Sequence, residues 1–193
     1  MPKQHNPGRG YRNEFRIIAG QWRRRKLHFP DAPGIRPSPD RVRETLFNWL
    51  QERIEGARCL DLFAGSGALG LEALSRGATQ AVFVDQDRLT TAAIREHLGL
   101  LKAEGGEVQQ AEALSWLAQA PRPFDIVFLD PPFDADLLPK VCARLAEGWL
   151  KPRACVYVEH AAEKVPLLPA GWVALKQSRA GRVAFGLWSP AGD

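Results

Sequence analysis

Three carboxylates stand beside glycines and prolines in a pattern that suits chemistry. Asp61 opens the stretch Asp61-Leu62-Phe63-Ala64-Gly65-Ser66-Gly67-Ala68-Leu69-Gly70, Asp85 lies 20 residues beyond Gly65, and Asp130 opens Asp130-Pro131-Pro132-Phe133. Glycines let the chain turn sharply and let a ligand approach the backbone closely. A helix that follows such a loop aims its free N–H groups into it. A carboxylate about 20 residues further on stands where the ribose hydroxyls of a bound nucleoside are met. Asp61 would repel a pyrophosphate, but it can orient water or the cationic amino group of a methionine moiety. No Lys follows the loop, which excludes a P-loop nucleotidase. The pattern points to S-adenosyl-L-methionine, lined by Asp61, Phe63, Ala64, Gly65, Ser66, Gly67, Asp85 and Gln86.

Two assignments around that loop have competitors. Asp87 competes with Asp85 for the ribose, because alternate residues of a strand share a face. We take Asp85, the nearer to the strand's end. Glu112-Ala113 falls after the next strand, where a polar side chain meets the adenine amino group and a backbone N–H meets the ring. A surface glutamate is the alternative there.

The DPPF sequence suits an exocyclic amine. The Asp130 carboxylate and the Pro131 carbonyl can accept both N–H bonds of one NH₂ group. Prolines fix φ and carry no donor, so Pro131 and Pro132 make the turn rigid. Phe133 offers a face on which a base can stack. An aromatic amine is a poor nucleophile because its lone pair is delocalised into the ring. Two acceptors favour a pyramidal nitrogen and aim its lone pair.

The elements that must hold these residues alternate. RCLDLF, AVFVDQD, EVQQAEA, FDIVFLD and ACVYVEHA read as strands. SGALGLEALSRG, RLTTAAIREHLGLLKA, LSWLAQA and ADLLPKVCARLAEGWL read as helices between them, with Pro139 in a first turn. Such alternation predicts right-handed crossovers and an α/β fold with a mostly parallel seven-stranded sheet. WVALKQSRAGRVAFGLW predicts a closing antiparallel hairpin through Ala180-Gly181. Upstream, FRIIA, a Gly20-Gln21 turn and WRRRKLHF predict a small basic β-hairpin. Ser38 is expected to cap a helix whose first position is Pro39. Its buried face would carry Val42, Leu46, Trp49, Leu50 and Ile54. The expected organisation is a disordered basic tail over 1–14, a hairpin extension over 15–37 and the catalytic domain over 38–193.

Charge is unevenly spread. Residues 1–43 carry 11 Lys and Arg against three acids, whereas the remainder carries 15 against 19. A basic head on a mildly acidic body suggests an anionic partner. Tyr11, Phe15, Trp22 and Phe29 interleave with the charges, which suits RNA. Arg16, Arg23, Arg24, Arg25, Lys26, Arg36, Arg41 and Arg43 are the candidate RNA-binding residues. Cys59, Cys142 and Cys155 form no CxxC, and the four His have no metal-ligand spacing. Buried thiols, no metal and a reducing cytoplasmic setting are expected. No apolar run approaches the ~18 residues of a membrane span.

DLFAGSGALGLEALSRGA and DPPF resemble motifs I and IV of the Rossmann-like class I methyltransferases that modify exocyclic amines. RIIAGQWRRRKLHFP and RPSPDRVRETLFNWL, ahead of those motifs, resemble more narrowly the RsmD-type 16S ribosomal RNA guanine-N2 methyltransferases. The resemblance implies methyl transfer from S-adenosyl-L-methionine to N2 of one guanine in 16S rRNA. The substrate would be the 30S subunit or its assembly intermediate, and the enzyme a monomer. Carried over, Asp130, Pro131, Pro132 and Phe133 would hold the guanine. Arg36, Ser38 and Arg41 would lie beside cofactor or RNA. Ser38-Pro39 and Glu112 depart from the residues usual in the family. An N6-adenine methyltransferase on DNA or RNA and a non-catalytic RNA-binding assembly factor are the rival readings. A cytosine-C5 enzyme is excluded, because no Cys follows a Pro.

Overall fold

The computed structural model describes residues 13–30, 39–132 and 137–190. Arg36, Ser38, Phe133 and nearly all of the expected tail lie outside the described residues. Strands β1 (Asn13–Arg16) and β2 (Lys26–Phe29) pair antiparallel. Helix α1 (Asp40–Trp49) leads into an alternating run. It comprises β3 (Arg58–Asp61), α2 (Ala68–Ser75), β4 (Gln80–Asp85), α3 (Arg88–Leu101), β5 (Gly106–Gln110), α4 (Ala113–Leu117), β6 (Phe124–Leu129), α5 (Leu137–Leu145) and β7 (Leu150–Ala161). Strands β8 (Val173–Ala180) and β9 (Val183–Ser189) close the fold.

The seven strands lie in the order β5-β4-β3-β6-β7-β9-β8. All pairs from β5 to β7 are parallel, and β9 runs antiparallel to β7 and β8. The expected mostly parallel seven-stranded sheet and closing hairpin are both present. Central strands buried on two faces read as continuous apolar runs. Cys59, Ala81, Phe83, Ile126, Phe128, Cys155 and Tyr157 join the core under α1, α2 and α3. Leu60, Val82, Val84, Val127, Leu129, Val156 and Val158 join the core on the other face, with α4 and α5. This alternation puts every second residue of each strand on the α2 face.

Local boundaries differ from expectation in three places. The basic hairpin has four-residue strands, and residues 17–25 form a broad loop. Ile17 and Arg25 still close the loop, with Ile17 N–H donating to the Arg25 carbonyl, but four of its backbone donors go to α2. Ile18 and Ala19 N–H donate to Glu72, and Gln21 and Trp22 N–H donate to the Ser75 carbonyl and hydroxyl. Pro39 is the residue before α1 and not its first member, because its ψ of 143° is extended. The helix stops at Trp49, whose ring packs 5.6 Å from Phe185, while Leu50 and Ile54 continue the buried face through turns. The last hairpin turns at Gly181-Arg182, since Ala180 pairs with Val183 and leaves a two-residue loop.

Candidate active site

Ligands in open α/β sheets bind beyond the carboxyl ends of the strands where strand order reverses. Here that point lies between β3 and β6, which are hydrogen-bonded neighbours. The glycine loop leaves β3 and Asp130-Pro131-Pro132 leaves β6. The fold therefore brings the two sequence motifs to one edge, although about 60 residues separate them. Asp61 pairs with Phe83 on one side and Phe128 on the other. Asp85 and Asp130 stand two residues further along those strands, on the same α2 face by alternation.

Asp61 is buried beneath the first turn of α2, and Gly70 N–H donates to its Oδ2 at 3.0 Å. Burial pushes its pKa up to about 7; the Gly70 donor opposes the rise and the Asp85 charge adds to it. Gly70 permits this contact. A Cβ there would collide with the Phe83 ring, so only a glycine lets the helix lie so close to β4. Gly65 (φ +50°) and Gly67 (φ +77°) turn the loop back over the strand ends. Phe63 is half-buried, and Ala64 and Ser66 are buried.

Asp85 is half-buried at the end of β4. Its Oδ2 accepts Gly65 N–H at 2.9 Å, and its Oδ1 accepts Asp87 N–H at 2.8 Å. Burial raises its pKa, with those two donors opposing. Asp85 thus ties the glycine loop to the next strand. Asp87 caps α3, accepting Thr90 N–H at 2.8 Å. Asp87 thus serves the helix, and Asp85 the glycine loop. Gln86 is exposed beside it. Glu112 caps α4, accepting from Leu114 and Ser115 N–H at 3.0 and 2.8 Å and from the Ser115 hydroxyl at 2.9 Å. Both of its oxygens accept from the first turn of the helix, and Ala113 behind it is buried.

Asp130 is half-buried, Pro131 buried and Pro132 exposed. Across β7 from Asp130 lie Tyr157, fully buried, and Glu159, 5% exposed. The Tyr157 hydroxyl donates to Glu159 Oε2 at 2.8 Å. Neither residue was singled out in the sequence. Their signal is a Tyr-x-Glu pair following the apolar run Ala154-Cys155-Val156.

The expected RNA-binding residues separate into inside and outside. Arg43 is fully buried. Its Nη2 donates to Asp40 Oδ1 at 2.6 Å and to the Arg16 carbonyl at 2.9 Å, and its Nη1 lies 4.0 Å from Glu72. An RNA phosphate cannot reach it, so its expected role is corrected to a structural one. Glu72, also fully buried, receives Ile18 N–H at 2.7 Å, Ala19 N–H at 3.0 Å and Arg76 Nε at 2.6 Å. It was missed in the sequence, where its signal is one acid in the apolar run ALGLEALS. Arg16 pairs with Asp40 and Lys26 with Glu14, all at the surface. Arg23, Arg24, Arg25 and Arg41 are exposed, and among the described residues no acid forms an ion pair with them. Arg23 and Arg24 lie in the loop and not in a strand, Arg24 at φ +69°. Arg23 and Arg76 wall a groove of about 570 Å³ with Glu44 and Asn48.

The family described as conserved hypothetical protein 95 matches residues 15–189. The chain belongs to that family. It is 48% identical over 190 residues to "Ribosomal RNA small subunit methyltransferase D" of Escherichia coli strain K12, covering 97% of this chain and 94% of the relative. The protein of the same name in Haemophilus influenzae is 44% identical over 182 residues, covering 92% and 94%. The solved structure of yhhF from Escherichia coli superposes with a TM-score of 0.88 at 46% identity, covering 93% of this chain and 99% of that one. The narrow resemblance drawn from the basic hairpin and the two motifs is borne out. Within the described residues of this family member, no helix is long and apolar enough to cross a membrane.

Proposed function

We propose that this chain transfers a methyl group from S-adenosyl-L-methionine to the exocyclic N2 amine of a guanine in 16S ribosomal RNA. The particle acted on would be the 30S subunit or its assembly intermediate. One observation carries the reading: Asp130-Pro131-Pro132 leaves β6 at the same sheet edge where the glycine loop leaves β3. The relatives named ribosomal RNA small subunit methyltransferase D supply the substrate class.

The residues present fit the cofactor. The Gly65–Gly67 turn cradles a ligand against the start of α2, Asp85 stands at the end of β4 for ribose hydroxyls, and Asp61 offers a carboxylate for the methionine ammonium. When bound, S-adenosyl-L-methionine supplies a methyl group already activated by its sulfonium charge, so positioning provides much of the catalysis. Asp130 and the Pro131 carbonyl accept the two N–H bonds of the guanine amine and direct its lone pair. The Asp130 carboxylate stabilises the positive charge that grows on nitrogen and stands by for the proton the amine sheds. A base in a helix cannot present its amine this way, so the target is extruded or already unpaired. Phe133 would stack on it. The basic loop Arg23-Arg24-Arg25-Lys26 grips RNA phosphates away from the reacting atoms.

Mass mapping of modified nucleosides in small-subunit particles, treated with the protein and the cofactor, tests the reading. N2-methylguanosine at one site is expected. N6-methyladenosine would move the function to the adenine rival, and a methyl group on a ring carbon would overturn the mechanism.

A further inference from the structure

We propose that the groove between the basic loop, α1 and α2 is a second RNA subsite, seating one nucleotide with its phosphate on Arg23 and Arg76 and its ribose 2′-hydroxyl against Glu44 and Asn48; this rests on the RNA substrate class read above. The groove holds about 570 Å³ and is floored by Ile18, Ala19 and Gly20, a volume within the ~300–1,000 Å³ of small-ligand sites. Gly67 begins α2 at the glycine loop and Arg76 ends it. The groove therefore stands at the opposite end of that helix from the cofactor loop, and methyl transfer does not use it.

The walls of the groove are fixed. Gly20 has φ +81°, and a Cβ there would collide with the Ser75 carbonyl, so the loop lies flat on the end of α2. Arg23 N–H donates to the Gly20 carbonyl at 3.2 Å and Arg24 N–H to the Ile17 carbonyl at 2.8 Å, which holds Arg23 in a tight turn. Arg76 Nε donates to Glu72 at 2.6 Å, and its guanidinium lies 5.0 Å from the centre of the Phe47 ring. These contacts orient the fork and leave its Nη groups for a ligand. Glu72 also lies 4.0 Å from Arg43, so one carboxylate faces two guanidinium groups and does not cancel them. Two guanidinium groups, one of them oriented in advance, suit a phosphate. On the facing wall, Glu44 and Asn48 are exposed one turn apart on α1 and share a face. Glu44 repels a phosphate, which places the anion on the arginine wall. A carboxylate accepts from a hydroxyl, and the Asn48 amide both donates and accepts. The 2′-hydroxyl of RNA is donor and acceptor, and DNA lacks it. A cationic wall facing an acceptor wall therefore fits a ribonucleotide better than a deoxyribonucleotide, and better than an acidic peptide, which brings no ribose hydroxyl.

The test is fluorescence anisotropy of the full chain with short single-stranded oligouridine and with oligodeoxyuridine of equal length. The wild type should prefer the ribose strand by about tenfold, the low end for a hydrogen bond to a charged group. Glu44→Ala and Asn48→Ala should bring that ratio towards one. Removing the Glu44 charge strengthens binding of both sugars alike, so the ratio is read and not the affinity. Arg76→Lys keeps the charge but loses the fork, so it should weaken both strands by about tenfold with the salt slope unchanged. Arg23→Ser should instead lower that slope by about 0.7, the share of one phosphate contact on a single strand. Should Arg76→Lys disturb the Glu72 clamp and unfold, the two exposed α1 variants still read the groove. Equal wild-type affinity for both sugars, an unaltered ratio in both α1 variants, or competition by polyglutamate as strong as by oligouridine overturns this inference alone. Failure of the guanine reading shows elsewhere, in the identity of the methylated nucleoside.

Discussion

Two buried carboxylates, one within helix α2 and one beneath it, are held in opposite ways. Glu72, in the body of the helix, is surrounded by donors: two backbone N–H groups of the hairpin loop and the guanidinium of Arg76, with that of Arg43 4.0 Å away. Asp61, beneath the first turn, accepts Gly70 N–H and is otherwise set against burial and the charge of Asp85. A buried charge with matching donors locks parts together, and removing it leaves its partners stranded. A buried acid whose ionised form is disfavoured is ready for a cation brought by a ligand. The comparison separates a fully paired buried acid from a sparsely paired one inside one core. Glu72 fastens the basic hairpin to the domain, and Asp61 waits at the strand ends.

Several changes would break or sharpen that contrast. Glu72→Ala should have the largest effect, destabilising the fold by about 3–5 kcal/mol and lowering Tm by on the order of 10 °C. Urea titration checks this, and an unchanged midpoint would show that the clamp is idle. Cofactor affinity of the folded fraction should stay within about twofold. Asp130→Asn should leave Tm and cofactor affinity near wild type while single-turnover methylation falls about a hundredfold or more, the scale of losing one preorganised electrostatic group. Wild-type rates in this variant would remove Asp130 from the chemistry. Asp85→Ala should weaken the cofactor by about tenfold to a hundredfold through lost ribose contacts, as calorimetry would read.

Asp61 contributes a pH effect of known sign. Its folded pKa, near 7, lies above the value of about 4 in an unfolded chain, so the native state holds the proton more tightly. Its contribution to stability therefore falls as pH rises from about 4 to about 7. An approaching ammonium favours the ionised form, so cofactor affinity should rise with pH below 7, by at most about tenfold per unit. Asp61→Asn should flatten both curves, and an unaltered affinity profile would separate Asp61 from the ligand. The smallest effect belongs to the exposed loop. Replacing Arg23, Arg24 and Arg25 by Ser should leave Tm and cofactor affinity alone and flatten the salt slope of RNA binding by about 0.7–0.9 per lost phosphate contact. An unchanged slope would mean that these arginines face solvent in the complex.

Much of the site was legible because backbone geometry demands particular residues. The turn after β3 needs glycines, and the rigid turn after β6 uses prolines, so both motifs could be read as they stand. The choice between Asp85 and Asp87 could not, since both lie at the end of one strand; the structure shows Asp87 capping α3 and Asp85 holding the glycine loop. Glu112 also turned out to be a cap, a use that local sequence allows but does not require. Tyr157 and Glu159 went unread because their meaning depends on β7 lying beside β6.

By itself the sequence determined the order of strands and helices, the glycine and proline turns, and the concentration of positive charge in the first 43 residues. These are short-range properties, set by side-chain period and by the φ values that Gly and Pro permit. Only the tertiary structure decided which charges are inside. Arg43 belongs to the same basic stretch as Arg23 yet sits in the core, because Asp40, the Arg16 carbonyl and Glu72 converge on it. Whether a charge can be buried depends on partners that the chain brings from 27 or 29 positions away, and no local pattern announces them.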